Sequence, residues 1–306
     1  MSDKAHGHSR IRQTRADNLF DAVNVSIMFV LLVIMVYPLI YVVSCSFSDP
    51  LLVVQSKIAL FPKQVTLQAY ERVFRNELIV SGYRNTILYT LLGTLTNVLL
   101  TTITAYPLSR KDFGAKKPLT VLFTWFLFFT MLFSGGMVPT FLTVKQLGLL
   151  DNIWALILPG AINVWNLFIM KNYFQTSIPG ELYEAAMIDG ADNFYMLRAV
   201  VLPLCAPIMA VMVLYYGVSH WNAYFNAMIY LQDKSKYPLQ LFLREILLTS
   251  SADNIISTSG GSTNTVALAE TIKYATIVIS TAPILCIYPF IQRYFVTGVM
   301  IGGVKE

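Results

Sequence analysis

The chain has 306 residues, of which 56% are hydrophobic and only 13% are charged, and its formal net charge is +5. A soluble domain carries about a quarter charged residues, so this composition excludes an ordinary soluble protein. The basic balance does not indicate nucleic-acid binding, because no basic stripe with interleaved aromatic residues lies on a soluble domain.

Six apolar stretches are long enough to cross a bilayer, which takes roughly 20 residues of helix. These stretches are residues 22–44, 86–108, 118–140, 152–171, 199–219 and 273–294. The predicted fold is therefore an all-α integral membrane protein with six transmembrane helices. Residues 1–18 are polar and form a separate tail, and residues 19–306 form one transmembrane domain.

The distribution of positive charge predicts the topology. Basic residues cluster before the first span and again in the short loop 110–117. Lys and Arg accumulate on cytoplasmic loops. With an even number of spans, both termini and the loop at about 172–203 then lie in the cytoplasm. The segments at about 46–83 and 221–272 are placed outside, although the first of them is also basic.

The two outer segments are expected to contain some structure of their own. A short helix is predicted near residues 67–74. Residues 221–231 are apolar but too short to cross a membrane, so they are expected to form a re-entrant or interfacial helix. Residues 250–265 are rich in Ser, Thr and Gly and are expected to form a flexible loop.

The spans differ in character. The second is rich in Thr, Gly and Asn, which permit close helix contacts, so we expect it inside the bundle or along a pore. The third carries several Phe and Trp residues that favour lipid. Ionisable residues stay at the edges of the predicted spans, and this pattern argues against proton coupling.

The sequence predicts neither a catalytic site nor a metal site. It has no G-x-x-x-x-G-K-[ST] phosphate-binding loop. Its three cysteines are far apart, and His6, His8 and His220 are its only histidines. A membrane bundle without a motor of its own is expected to be a channel, a scaffold or one subunit of a pump.

The loop after the fourth span has the pattern of two short helices. Pro179 suits a first helical turn, and Gly190 can adopt the left-handed conformation that ends a helix. Asp192 can cap the helix that follows. Within the first helix one predicted face contains Leu182, Ala185, Ala186 and Asp189. On these grounds alone, a capped helix pair at the membrane surface of any multispan protein fits equally well.

Residues 179–191 read Pro-x-Glu-Leu-x-Glu-Ala-Ala-x-Ile-Asp-Gly-Ala, and Leu202, Pro203 and Pro207 follow. This pattern resembles the EAA loop of ABC-importer permeases, in the form found in their carbohydrate-uptake branch. Asn85-Thr86, Trp221-Asn222 and the tail at 302–305 resemble the same branch.

The resemblance implies a permease subunit of an ATP-driven oligosaccharide importer in a bacterial cytoplasmic membrane. The implied partners are a second, different permease subunit, two ATPase subunits, an extracellular or periplasmic sugar-binding protein and membrane lipid, with no nucleic acid. No cofactor is implied for this chain, since ATP and Mg bind the ATPase. The residues implied in ATPase coupling are Glu181, Glu184, Ala185, Ala186, Asp189, Gly190 and Ala191.

Amide and aromatic side chains, which bind sugars by hydrogen bonding and stacking, suggest a substrate path. The candidates are Asn163, Trp165, Asn166, Trp221, Asn222 and Tyr224. For Trp221, anchoring in the aromatic belt of the membrane interface is an alternative. For the amides, hydrogen bonding between helices is an alternative.

Other functions remain open. A permease of the same superfamily can carry amino acids, peptides or anions, although the Asp-Gly-Ala extension and Trp221-Asn222 favour sugar. A third hypothesis is a membrane scaffold that transports nothing.

Overall fold

The computed structural model describes residues 14–110, 117–256 and 263–300. All the regular structure in these ranges is helical, which confirms the predicted all-α class. The α-helices are α1 (Arg15–Ser46), α2 (Pro50–Val54), α3 (Gln68–Arg75), α4 (Glu77–Ser109), α5 (Lys117–Leu132), α6 (Met137–Gln146), α7 (Ile153–Ile157), α8 (Val164–Ser177), α9 (Gly180–Ile188), α10 (Asn193–Tyr195), α11 (Leu202–Leu204), α12 (Ala206–Trp221), α13 (Phe225–Tyr230), α14 (Leu239–Ile256) and α15 (Thr263–Met300).

Three described helices are long and apolar enough to cross a membrane alone, over Arg15–Ser46, Glu77–Ser109 and Ala267–Ile287. Three further helix pairs meet the same test only together, and each is sharply bent. The bends are 113° between α5 and α6, 54° between the α7 segment and α8, and 85° between Asn193–Leu204 and α12. The described chain thus holds three candidate spans, or up to six if each bent pair counts as one.

The three bends fall inside stretches that the sequence predicts as single spans, and each has a local cause. Gly136 precedes α6 with a φ of +83°, a conformation open to glycine. Pro159 and Gly160 lie in a 3-10 turn that ends before α8. Pro207 has no N–H to donate to the preceding turn, so the helix restarts at α12.

Contacts divide the described residues into two compact units, the first comprising residues 14–70 with 263–278. Its core holds Cys45 of α1 against Val53 of α2 and Ile58. Ser44 Oγ donates to the Leu60 carbonyl at 2.6 Å, which fixes the loop after α2. The apolar residues of α1 before Ile40 are exposed, as expected of a helix that faces lipid.

Glu270 and Lys273 correct the expectation about ionisable residues. The last candidate span begins at Ala267, six residues before the predicted start, and therefore contains both. Lys273 Nζ lies 2.9 Å from Glu270 Oε1, and both side chains are largely buried. A paired charge within a span is tolerated where a single one is costly.

The second unit comprises the described residues 71–110, 117–256 and 279–300 and is built around α4. This helix packs against α7, α8, α12 and α14, which confirms its predicted place inside the bundle. Its core joins Val98 and Ala105 to Leu167 and Met170 of α8 and to Met212 of α12.

Asp151 organises the loops at one end of this unit. Its Oδ1 accepts from the backbone N–H groups of Gln232 and Asp233 at 3.0 and 3.1 Å. The hydrogen bond from Lys236 and these two backbone bonds lower the pKa of Asp151 to about 2. The short helix α13 lies within the stretch 221–231 that the sequence predicts to contain a short helix.

The predicted flexible loop at 250–265 is wrong at both of its ends. Helix α14 continues to Ile256, and α15 begins at Thr263. Residues 257–262 lie outside the described part of the chain. Ser and Thr at these helix ends carry a modest propensity cost that does not prevent helix continuation.

Candidate functional site

The loop at 179–195 forms the predicted helix, stop and second helix. Pro179 is the residue just before α9, one position earlier than expected. Gly190 has a φ of +77°, and the Ala191 N–H donates to the Ala186 carbonyl at 2.9 Å. Asp192 Oδ1 accepts from the Tyr195 N–H at 2.7 Å and so caps the second helix. The predicted helix stop at Gly190 and the predicted cap at Asp192 are both confirmed.

The α9 helix has an inner and an outer face. Tyr183 and Ala186 lie inward and pack against the core of the second unit. Glu184, Ala185 and Asp189 are exposed. The four residues of the predicted face, at i, i+3, i+4 and i+7, lie along one stripe of the helix. Ala186 is at the inner edge of that stripe and packs against the core, so only Leu182, Ala185 and Asp189 of the predicted face are exposed. Of the other predicted coupling residues, Glu181 and Gly190 are exposed and Ala191 is half-buried.

Large apolar side chains are also exposed on this loop. Ile188 is 87% exposed and Phe194 is 69% exposed. Met187, in the last turn of α9, is half exposed. Apolar side chains beside acidic ones on an exposed loop are typical of a protein-binding surface.

Arg110 connects this loop to the end of α4. Its guanidinium lies 4.8 Å from the ring centroid of Tyr183 in α9. It also donates to Asn193 Oδ1 in α10, and its Nη2 lies 3.9 Å from Met187 Sδ. Burial raises the pKa of Tyr183 to about 12, so the ring is neutral and attracts the cation through its π face. The basic loop 110–117 indicates topology in the sequence, but it carries no signal for this contact between distant residues.

A cavity of about 1070 Å³ lies within the second unit. Its walls come from α4, the α7–α8 break, α12 and residues 284–287 of α15. Three predicted path residues border it: Asn163, Asn166 and Trp221.

Asn163 and Trp221 also support the surrounding helices. Asn163 Oδ1 accepts from the Asn166 N–H at 3.1 Å and caps α8. The Asn163 N–H donates to Tyr216 Oη at 3.2 Å. Trp221 is buried, and its Nε1 donates to the Ser280 carbonyl at 3.0 Å. The belt interpretation of Trp221 is therefore wrong.

The other three predicted path residues lie elsewhere. Trp165 is 63% exposed and is not part of the cavity wall. Tyr224 is covered by the Arg244 guanidinium, 4.6 Å from its ring centroid. Asn222 Nδ2 donates to the Val218 carbonyl of its own helix at 2.9 Å.

The cavity wall also includes polar residues that are not among the predicted path residues. Thr90, Thr94 and Asn97 of α4 and His220 of α12 all line it. Their positions 90, 94 and 97 recur at i, i+4 and i+7, so the three side chains share one face. The available signal was the polar composition of the second span.

No group of three His, Cys, Asp or Glu residues in the described ranges is arranged to hold a metal ion. Bent helices around a cavity whose wall includes amide and hydroxyl side chains, joined to an exposed helical loop, are the features expected of a membrane transport subunit.

Comparisons with known proteins agree with this class. No family model matches the chain. It is 42% identical over 289 residues to the polygalacturonan/rhamnogalacturonan transport system permease protein YtcP of Bacillus subtilis (strain 168), covering 94% of this chain and 99% of that protein. It is 40% identical over 296 residues to protein LplC of the same organism, covering 96% and 98%.

A solved structure is similar over the same length. It is a bacterial ABC transporter involved in the import of the acidic polysaccharide alginate, with a TM-score of 0.82 and 34% identity over 93% of this chain and 99% of that one. The chain belongs to the family of ABC-transporter permeases for carbohydrate uptake. It is a transport subunit and not an enzyme.

Proposed function

We propose that this chain is a permease subunit of an importer that moves an acidic oligosaccharide across the bacterial cytoplasmic membrane. The observation that carries the proposal is the exposed, capped loop at 179–195 on a chain that is 42% identical to a polygalacturonan permease. The structural relative that imports alginate supports the acidic class. The cavity supports a sugar path, since its polar wall residues are amides, hydroxyls and one imidazole.

ATP hydrolysis takes place on partner subunits that bind ATP and Mg. Their contact surface on this chain is the outer face of α9 with the turn after it, defined by Glu184, Ala185, Ile188 and Asp189. Small Ala185 permits close approach to a cleft, Ile188 supplies apolar area, and the carboxylates can pair with basic groups. Two ATPase subunits serve this permease and a second, different permease subunit, and an external sugar-binding protein delivers the cargo.

Uptake by the reconstituted complex tests this function. The permease pair, the ATPase and the binding protein in liposomes should accumulate trigalacturonate when ATP is supplied on the ATPase side. Maltotriose is the neutral control, and we expect at least tenfold less of it. Equal uptake of both sugars would contradict the acidic class, and uptake of neither would contradict sugar import.

The proposed topology has six spans, with each bent pair as one span, and both termini and the 179–195 loop in the cytoplasm. In a chain whose native cysteines are replaced, Gln175→Cys and Ser235→Cys each place one thiol at an exposed position on opposite sides. In intact cells an impermeant maleimide should label position 235 and spare position 175 until the membrane is permeabilised. Labelling of position 175 in intact cells would contradict the topology.

Arg110 is expected to transmit movement of the loop to α4, because it contacts both loop helices. Arg110→Met removes the charge, and Arg110→Lys keeps the charge without the planar donor fork. A cation–π contact contributes about 0.5–2 kcal/mol and a charged hydrogen bond about 1.5–3 kcal/mol. We expect sugar uptake per ATP to fall at least about tenfold in the Met variant and less in the Lys variant. Wild-type ratios in both variants would contradict this role.

A further inference from the structure

Asn97 and His220 form a buried polar pair at the cavity wall. Asn97 is 3% exposed, and its Nδ2 lies 3.1 Å from His220 Nε2 and 3.4 Å from the Gly160 carbonyl oxygen. A carbonyl oxygen can only accept a hydrogen bond, so the Asn97 side-chain atom that faces the Gly160 carbonyl is the nitrogen. His220 Nε2 must then accept as well, which makes the imidazole neutral with its proton on Nδ1.

Three oxygens on the same face of α4 have no hydrogen-bond partner among the described residues. They are Asn97 Oδ1, Thr90 Oγ1 and Thr94 Oγ1, and all are buried. Two other threonines of this helix behave differently. Thr102 and Thr104 donate to the carbonyls of Val98 and Leu100 at 2.7 and 2.8 Å. The unpaired oxygens are therefore confined to the stretch of α4 that lines the cavity.

Unpaired buried oxygens are unfavourable, so their concentration on one cavity face calls for a polar ligand. The groups lie beneath the cavity surface, and rotation of a Thr side chain about one torsion turns its hydroxyl toward a ligand. The polar atoms of the cavity wall are uncharged. The hydroxyl groups of a ligand match this chemistry better than its charged groups do.

We infer that Thr90, Thr94, Asn97 and His220 form a subsite that binds the hydroxylated face of a sugar ring during passage. Asn97 Oδ1 accepts from a sugar hydroxyl, and the His220 Nδ1–H donates to a sugar oxygen. The Thr hydroxyls donate or accept as the ring requires. The subsite rests on the proposed function, and it contacts the hydroxyls of an acidic sugar rather than its carboxylate.

The double variant Thr90→Val/Thr94→Val separates sugar binding from packing. It keeps the side-chain shape and removes two unpaired hydroxyls, so packing alone predicts unchanged or higher thermal stability. The subsite predicts that uptake of trigalacturonate per ATP hydrolysed falls about fivefold, which corresponds to about 1 kcal/mol of lost hydrogen bonding. The complex is supplied with saturating loaded binding protein. Thr104→Val, whose hydroxyl is satisfied within α4, is the matched control and should keep the wild-type ratio.

Two His220 variants test which ring nitrogen acts. His220→Asn places an amide near the position of Nδ1, whereas His220→Gln places one near Nε2. If Nδ1–H donates to the sugar, the Asn variant should keep an uptake-to-ATP ratio within about twofold of wild type, and the Gln variant should lose about fivefold. If the residue only partners Asn97, the Gln variant should perform better.

The proposal is overturned if the Thr90→Val/Thr94→Val variant keeps the wild-type ratio, or if the Gln variant performs better than the Asn variant. Either result would assign these oxygens to a buried water instead. Absence of sugar uptake by the wild-type complex would overturn the proposed function itself, and the subsite with it.

Discussion

Replacing Gly190 by Val is expected to abolish uptake while the protein still inserts into the membrane. Gly190 has a φ of +77°, and no atom lies within 4 Å of the position a Cβ would take. The penalty therefore comes from the backbone alone, at about 1–2 kcal/mol for an L-residue in the left-handed region. Relief of this strain would change the turn between α9 and α10 and reorient the exposed face that meets the ATPase.

The matched control for Gly190→Val is Gly190→Asn, because Asn tolerates the left-handed conformation better than other residues with a side chain. We expect the Asn variant to keep most of its uptake, and the Val variant to lose more than nine-tenths of it at equal amounts in the membrane. Equal uptake by the two variants would show that the turn conformation is not required.

Replacing Gly93 by Ala is expected to destabilise the second unit strongly. An added Cβ would lie 2.5 Å from His220 Nε2 and 2.8 Å from Cδ2 of the same ring. Since the ring is held between α4 and α12, the helices must separate or the ring must leave the cavity wall. Overpacking of this kind costs about 1–3 kcal/mol. The thermal midpoint of the purified protein in detergent, followed by size exclusion, should fall by several degrees.

Two further variants make this prediction specific. Gly217→Ala is the control on the facing helix, because its Cβ would lie at an ordinary 3.7 Å from Thr94 Oγ1. Its midpoint should stay close to that of wild type. The double variant Gly93→Ala/His220→Ala should regain most of the thermal midpoint that Gly93→Ala loses, because the clashing ring is absent. If Gly93→Ala lowers the thermal midpoint and the double variant does not restore it, the His220 ring is not the group that clashes with the added Cβ.

The coupling loop was predictable because its determinants are local. Gly190 and Asp192 act on backbone groups within four residues, so the sequence alone contains the stop and the cap. The orientation of Ala186 was not predictable, because its side chain packs against a core built from distant helices. Small residues fit a docking face and a packing face equally well.

The cavity was harder to predict because its members are distant in sequence. Asn97 and His220 are 123 residues apart, and neither has a partner within its own helix that signals the pairing. Tyr224 and Trp165 have suitable chemistry for a sugar path, but Trp165 is exposed, Tyr224 packs beneath the Arg244 guanidinium, and neither lines the cavity. The helix bends near Pro159, Gly160 and Pro207 depend on how the chain packs, and the length of an apolar stretch does not contain that information.

Photocrosslinking from α9 tests the central claim, that the outer face of this helix docks on a separate ATPase. A benzophenone maleimide is attached to Ala185→Cys, Ala186→Cys or Ser235→Cys in a chain whose native cysteines are replaced, assembled with its partners in membranes. We expect an adduct with the ATPase from the exposed position 185, far less from the inward position 186, and none from position 235. An ATPase adduct from position 235, or none from position 185 in a complex active in uptake, would contradict it.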